Sequence, residues 1–218
     1  MFRFLKPVLS GVMFLLLMLC PLATHAEKVH WEDKAYDFSN IQRAIVYDIE
    51  IVDTSEIPSD LTEKVVQEEY WKTASKPPYK LMHPDKDAVL YPQDMADIYV
   101  KAAILKWHDD YYIKPAYTSW ESRSATRKVK RSDGSWYDET YYYTVPVYHP
   151  EETIYTSTVR VKFDVYDNKT NKLIMSRDEL RERDSSYHGQ QGIFGRISKS
   201  FFDDLGKKIK TSKESKEK

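Results

Sequence analysis

Val159-Arg160-Val161-Lys162-Phe163-Asp164-Val165-Tyr166 (residues 159–166) alternates apolar and polar side chains without a break. Successive side chains of an extended strand point to opposite faces, so this stretch is a strand with one buried and one solvated face. Asp167 to Lys172 (DNKTNK) turns the chain back, and Leu173 to Arg183 returns as the last strand, its charged end expected beyond the sheet. A one-sided sheet needs a cover. Asp184 to Gly195 reads as a polar, glycine-containing loop, after which Phe194, Ile197, Phe201, Leu205 and Ile209 recur at the spacing of a single helical face. That amphipathic helix is the expected cover, and Thr211 to Lys218 is expected as a solvated, unfolded charged tail.

Working toward the N-terminus, the alternating pattern holds from about Asp110 onward. Tyr111 to Val129 and Trp136 to Val147 flank Arg131-Ser132-Asp133-Gly134-Ser135, where Asp-Gly supplies a turn that needs a positive backbone angle. The spacing predicts a long hairpin. Before Asp110 the pattern reads as helical: Pro92 suits a first helical turn, and Met95, Ile98, Ala102 and Leu105 share one face. A short strand over Tyr79 to Met82 precedes it, and Pro77-Pro78 closes an earlier helix over Leu61 to Trp71. That helix opens on the capping-box pair Asp60 and Glu63, with Leu61 and Val65 facing inward. Ile41 to Val52 reads as a buried strand, in which Ile45, Tyr47, Ile49 and Ile51 alternate with Asp48 and Glu50. Glu27 to Asn40 is an ordered polar lead-in. The expected class is α/β (α+β): a mainly antiparallel mixed sheet, about three helices packed on it, and a long β-hairpin extension.

The first 26 residues have the three parts of a secretory signal: Arg3 and Lys6, an apolar run from Val8 to Leu19, and a short polar segment ending at Ala26. The run is shorter than the roughly 18 residues a stable bilayer anchor needs, so cleavage between Ala26 and Glu27 is expected, with no transmembrane anchor afterwards. A lipoprotein signal acylated at Cys20 is the rival reading. Leu17-Met18-Leu19 lacks the small residues that such processing favours. The organisation expected is a signal at 1–26, one exported domain at 27–210 and a tail at 211–218, in the periplasm or at the cell surface. The chain's net charge is −1, and −3 once Arg3 and Lys6 are gone, so no global positive field exists to recruit nucleic acid. Its single cysteine, Cys20, leaves with the signal, and packing alone must hold the exported chain.

Catalytic chemistry leaves little trace. His30, His83, His108, His149 and His188 stand far apart, without HxH, HExxH or Cys/His spacing, so no metal or other cofactor is expected. His108-Asp109-Asp110 is the densest ligand cluster and reads as a polar helix end running into a turn. No GxSxG elbow is present, and the one SxxK spacing, Ser215 to Lys218, lies in the tail. Glu68-Glu69, Asp109-Asp110 and Glu151-Glu152 offer carboxylates for a cell-wall hydrolase, but adjacency in sequence does not make the paired geometry that reaction needs. Gly189 to Gly195 precedes a helix without the Lys-Ser/Thr ending of a P-loop.

Binding leaves more. Arg123 to Arg131 (RSATRKVKR) holds Arg123, Arg127, Lys128, Lys130 and Arg131 with no acidic residue, enough to attract a polyanion or an acidic partner surface. Lysine on a strand edge also serves to block aggregation, so the run has an ordinary reading too. Trp120, Trp136, Tyr137, Tyr141, Tyr142 and Tyr143 load the same hairpin with rings, which stack on sugars or anchor protein partners. The candidate binding residues are Trp120, Arg123, Arg127, Lys128, Lys130, Arg131, Trp136, Tyr141 and Tyr143.

Phe38-Ser39-Asn40-Ile41-Gln42-Arg43-Ala44-Ile45-Val46 and Val159 to Ser176 carry a resemblance. The first looks like the entry into the first strand, and the second like the late hairpin, of the α/β domain of exported bacterial envelope proteins. These are lipoprotein activators of penicillin-binding proteins, the periplasmic domain of curli-secretion lipoproteins, and related families of unknown function. The resemblance implies a noncatalytic envelope adaptor. The expected function is therefore an exported binding or assembly module and not an enzyme. Its expected partner is an envelope protein or a cell-wall polymer, with a glycan or anionic-polymer binder as the alternative and a cell-wall hydrolase as the lesser one.

Overall fold

The structure, a computed structural model, describes residues 26–52, 60–75, 78–82 and 96–216. The expected leader falls outside these residues except for Ala26, as does the hydroxyl-lysine spacing at Lys218. The chain forms two compact units, one made of the chain up to Asp110 and from Tyr155 onward, the other of Tyr111–Ile154.

In the first unit the lead-in is more ordered than its polarity suggests. Strand β1 (Ala26–Glu32) lies antiparallel to β9 (Leu173–Ser185), and a single 3-10 turn (Phe38–Asn40) follows, capped by the Asp37 carboxylate. Strands β2 (Arg43–Val46) and β3 (Glu50–Ile51) divide the expected Ile41–Val52 strand in two, and both pair parallel with β5 (Ile98–Lys114). Helix α1 (Asp60–Ala74) crosses back to β4 (Lys80–Met82), which is parallel to β2. Its inward face is Val66, Tyr70 and Ala74, one residue out of phase with the expected Val65. Strand β8 (Glu152–Asp167) is antiparallel to β9, and helix α2 (Gln190–Lys216) closes the chain.

Among the described residues the main sheet has the order β1-β9-β8-β5-β2-β4, with β3 beside β5. It is mixed: the long β1–β9 and β8–β9 pairings are antiparallel, and the short β3–β5, β5–β2 and β2–β4 pairings are parallel. Two α-helices are present among these residues, not three. The helix expected from Pro92 is a correction. Pro92 and Met95 lie outside the described residues, and Ile98, Ala102 and Leu105 belong to β5. Ile98, Val100, Ala102 and Ile104 are buried at every second position, because a strand with neighbours on both edges is decided by that alternation.

Val159, Val161, Phe163 and Val165 are all buried, as their spacing predicts. Phe163 stacks on Phe201 at 4.1 Å, and Phe202 joins Tyr70 of α1 at 5.5 Å, so both helices share one core with the sheet. The helical stripe Phe194, Ile197, Phe201, Leu205 and Ile209 is fully buried. The helix also runs past Thr211 to Lys216, where the Lys216 ammonium meets Asp37 Oδ2 at 2.5 Å, so the expected tail is largely the last turns of α2. The charged end of β9 is likewise inside the sheet, paired with β8 as far as Tyr155 opposite Ser185.

In the second unit, β6 (Tyr117–Lys130) and β7 (Trp136–His149) form a two-stranded ribbon in unbroken antiparallel register. Pro115, lacking a donor, separates β5 from β6. At the tip Gly134 takes φ +88°, and Asp133 Oδ1 accepts from the Ser135 N–H (2.9 Å) and hydroxyl (2.6 Å). Those bonds hold the Asp133 carboxyl below its ordinary pKa.

Candidate functional site

The ribbon's register sorts the sequence-predicted residues onto two faces, because pairs two residues apart share a face. One face carries Trp120 opposite Pro146, Lys128 opposite Asp138, and Lys130 opposite Trp136. Tyr142, opposite Ser124, and Tyr148, opposite Thr118, complete it. The other face carries Arg123 opposite Tyr143, Tyr141 opposite Ala125, and Arg127 opposite Glu139. Arg131 joins that second face, its guanidinium 5.0 Å from the Tyr137 ring. The run of five basic residues and the run of tyrosines are thus not one patch, and the structure brings Trp120 and Trp136 together with neither Arg123 nor Arg127.

Electrostatics separates the faces further. On the arginine face the cations are already engaged: Arg127 meets Glu139 at 2.7 Å and lies 5.5 Å from the Tyr141 ring, and Arg123 meets Glu121 at 3.5 Å. The Glu139 hydrogen bond raises the Arg127 pKa. Tyr117 stacks on His149 at 4.4 Å, and His149 Nε2 shares a hydrogen bond with the Ser119 hydroxyl at 2.8 Å. On the tryptophan face Trp120, Trp136, Tyr142 and Tyr148 are 70, 64, 76 and 69% exposed, with Lys130 5.9 Å above the Trp136 ring. At ~3.3 Å per residue these rings span about 40 Å of ribbon. Tyr148, absent from the sequence-based candidates, is legible from parity, since it lies an even number of residues from Tyr142 on the same strand.

In the first unit, Asp109, Ser157 and His188 converge. The Ser157 hydroxyl donates to Asp109 Oδ1 (2.8 Å) and accepts from the Gly189 N–H (2.8 Å), while His188 Nδ1 contacts Asp109 Oδ2. The carboxylate sits between hydroxyl and imidazole, so His188 does not face the hydroxyl it would have to deprotonate as a general base. Ser157 is fully buried, and the trio ties the loop before α2 to β5 and β8. This tie also accounts for Gly189, whose N–H is committed to Ser157. Among the described residues no three His, Cys, Asp or Glu side chains group as metal ligands. Glu68 and Glu69 face Lys64 and Lys72 along α1, and Ser215 donates to the Thr211 carbonyl within α2.

Sequence reasoning missed a second charged region, at the core-facing positions of β9. Arg177 stands opposite Phe163 and Glu179 opposite Val161, both 2% exposed, with the Arg177 guanidinium 5.4 Å from the Phe201 ring. Charged residues two apart, in step with the buried Met175, were the available signal.

No protein-family model and no curated protein matches the sequence. Among solved structures, the PelC dodecamer from Paraburkholderia phytofirmans is similar at 11% identity and a TM-score of 0.49, over 84% of this chain and 98% of that one. A PelC variant dodecamer from the same organism gives 11% identity and 0.46, over 84% and 99%. A PDZ domain protein from Parabacteroides distasonis gives 10% identity and 0.31, over 81% of this chain and 34% of that one. Likenesses this distant bear neither on family nor on function.

Proposed function

We propose that the protein is a noncatalytic binding module of the cell envelope whose working surface is the Tyr117–His149 ribbon, engaged by a protein partner during envelope assembly. One observation carries this reading: Trp120, Trp136, Tyr142 and Tyr148 share a face that nothing within their own unit covers. Large rings held in water forfeit the burial that stabilises a fold, and Trp and Tyr are the side chains that dominate contact energies at protein interfaces. A two-stranded ribbon is marginal alone, so covering that face stabilises the ribbon as well as the complex. The export reading rests on the leader, and the resemblance to envelope adaptors points the same way. Among the described residues no helix is long and apolar enough to cross a membrane.

The test is in-cell crosslinking followed by co-purification. Trp120→Ala, Trp136→Ala, Tyr142→Ala and Tyr148→Ala together are expected to abolish recovery of the envelope partner while the circular-dichroism spectrum keeps its helical signal. Unchanged recovery from that folded variant overturns the reading. A glycan binder is the second reading, favoured by the ladder of flat rings flanked by Lys128 and Lys130. Pull-down on purified wall material that weakens sharply at high salt supports it over a protein partner.

A further inference from the structure

A groove runs along α2 where β1 and β9 approach it. It consists of two hollows of about 410 and 350 Å3 that share Asp204 as a wall. Helix positions 196, 199, 203, 204, 207 and 208 line it at three- and four-residue spacing, so one stripe of α2 forms a whole side. Lys28, Arg177, Lys207 and Lys208 contribute to the first hollow and Arg181, Arg196 and Lys199 to the second, against the carboxylates of Glu32, Asp203 and Asp204. Counting the buried Glu179 as well, the groove is net positive in a chain whose overall charge is −1. Hydrogen bonds from Lys208 to Glu32 and from Arg177 and Lys28 to Asp204 lower both carboxyl pKa values, so this balance holds at neutral pH.

Part of that positive charge is unspent. Among the described residues Arg196 and Lys207, one in each hollow, have no acidic partner within 4.0 Å. Arg177 is 2% exposed and donates from Nη2 to Asp204 at 2.7 Å, yet its Nε and Nη1 have no hydrogen-bond partner. That Nη1 lies 3.9 Å from the Glu179 carboxylate, so the part of the positive charge left open to the groove is that of Arg196 and Lys207. From Arg196 to Lys208 the helix advances about 18 Å at ~1.5 Å per residue, too far for one small anion and suited to a chain of repeated anionic groups. The lysine stems add apolar wall to the first hollow, a surface for the C–H face of a sugar ring.

We propose that this groove binds a linear acidic glycan, with carboxylates of successive uronic acid units lying against Arg196 and Lys207. The site belongs to the first unit and does not rest on the ribbon reading. Calorimetric titration of the purified protein with oligogalacturonate tests it. Binding is expected at low salt, weakening steeply as salt rises, and falling at least about tenfold in Arg196→Glu combined with Lys207→Glu, as loss of a charged contact requires. Should that pair fail to fold, Arg196→Gln with Lys207→Gln is expected to show the same loss. Lys64→Glu with Lys80→Glu, the same change of charge at exposed positions away from the groove, is expected to leave the affinity unchanged, which separates a groove contact from a loss of net charge. Absence of binding to the wild-type protein, undiminished binding in a folded charge variant, or equal affinity for polyglutamate overturns the proposal.

Discussion

Phe163 and Trp120 occupy comparable places, each a large ring within an alternating strand, and their surroundings are opposite. Phe163 is fully buried, stacked on Phe201 and flanked by Phe202, because β8 lies in a sheet whose inner face two helices cover. Trp120 is 70% exposed, because β6 has one neighbouring strand and no layer of its own unit above that face. Alternation tells which rings travel together and cannot tell which group finds cover. The first unit buries Phe163, Phe194, Phe201 and Phe202, whereas the ribbon leaves Trp120, Trp136, Tyr142 and Tyr148 in water.

Several substitutions would break or sharpen that contrast. Phe201→Ala empties the centre of the core and is expected to cost about 3–5 kcal/mol in urea unfolding, the range for truncating a fully buried Phe. Next in size is Arg177→Ala, which removes the buried guanidinium that packs on Phe201 and hydrogen-bonds Asp204, leaving Glu179 with Arg181 as its remaining cation, and is expected to cost ~3 kcal/mol by the same measurement. Arg177→Met together with Glu179→Leu is expected to recover most of that loss, since apolar replacement of a buried pair is often close to neutral. A double variant as unstable as the single one would mean that the ion pair is needed for the packing itself. In the ribbon, Trp120→Ala with Trp136→Ala and Tyr142→Ala is expected to change the unfolding free energy by no more than ~0.5 kcal/mol per substitution, as for ordinary surface changes, while abolishing partner capture. A large loss of stability there would show that the rings belong to a core after all.

The smallest effect concerns acid. The Lys216 ammonium, with help from Ser39, holds the Asp37 carboxyl down to about 2. A depressed carboxyl contributes above its unfolded pKa, near 4, and that contribution is lost as pH falls toward 2. Amide exchange in the last turn of α2 is therefore expected to quicken over that window, well before exchange around Phe201. Lys216→Ala is expected to raise the Asp37 titration midpoint in NMR and to remove the pH dependence of the fraying.

Legibility followed how many physical signals agreed. The Asp133-Gly134 turn between two alternating runs was readable because turn chemistry and periodicity pointed to one hairpin. β8 and the α2 stripe were readable because their apolar spacing admits one period only. β5 was misread as a helix because apolar residues at 98, 100, 102, 103, 104 and 105 satisfy both periods. Its neighbours β2 and β8, remote in sequence, made the choice. The ribbon's candidate residues were found, but as one patch. Assigning faces required the pairing of Lys130 with Trp136 and of Arg127 with Glu139, which depends on where the turn places the register.

The sequence by itself determined the elements whose signals are local: the Asp-Gly tip, the one-sided strand at Val159–Tyr166, the amphipathic closing helix and the density of rings and cations in the hairpin. Tertiary structure alone decided the parallel pairings of the sheet, the burial of Arg177 against Phe201 and of Glu179 beside Arg181, and the groove that gathers Lys28, Arg181 and Arg196. Those outcomes depend on contacts between residues far apart in the chain, and local spacing carries no record of which distant surface will arrive to exclude water.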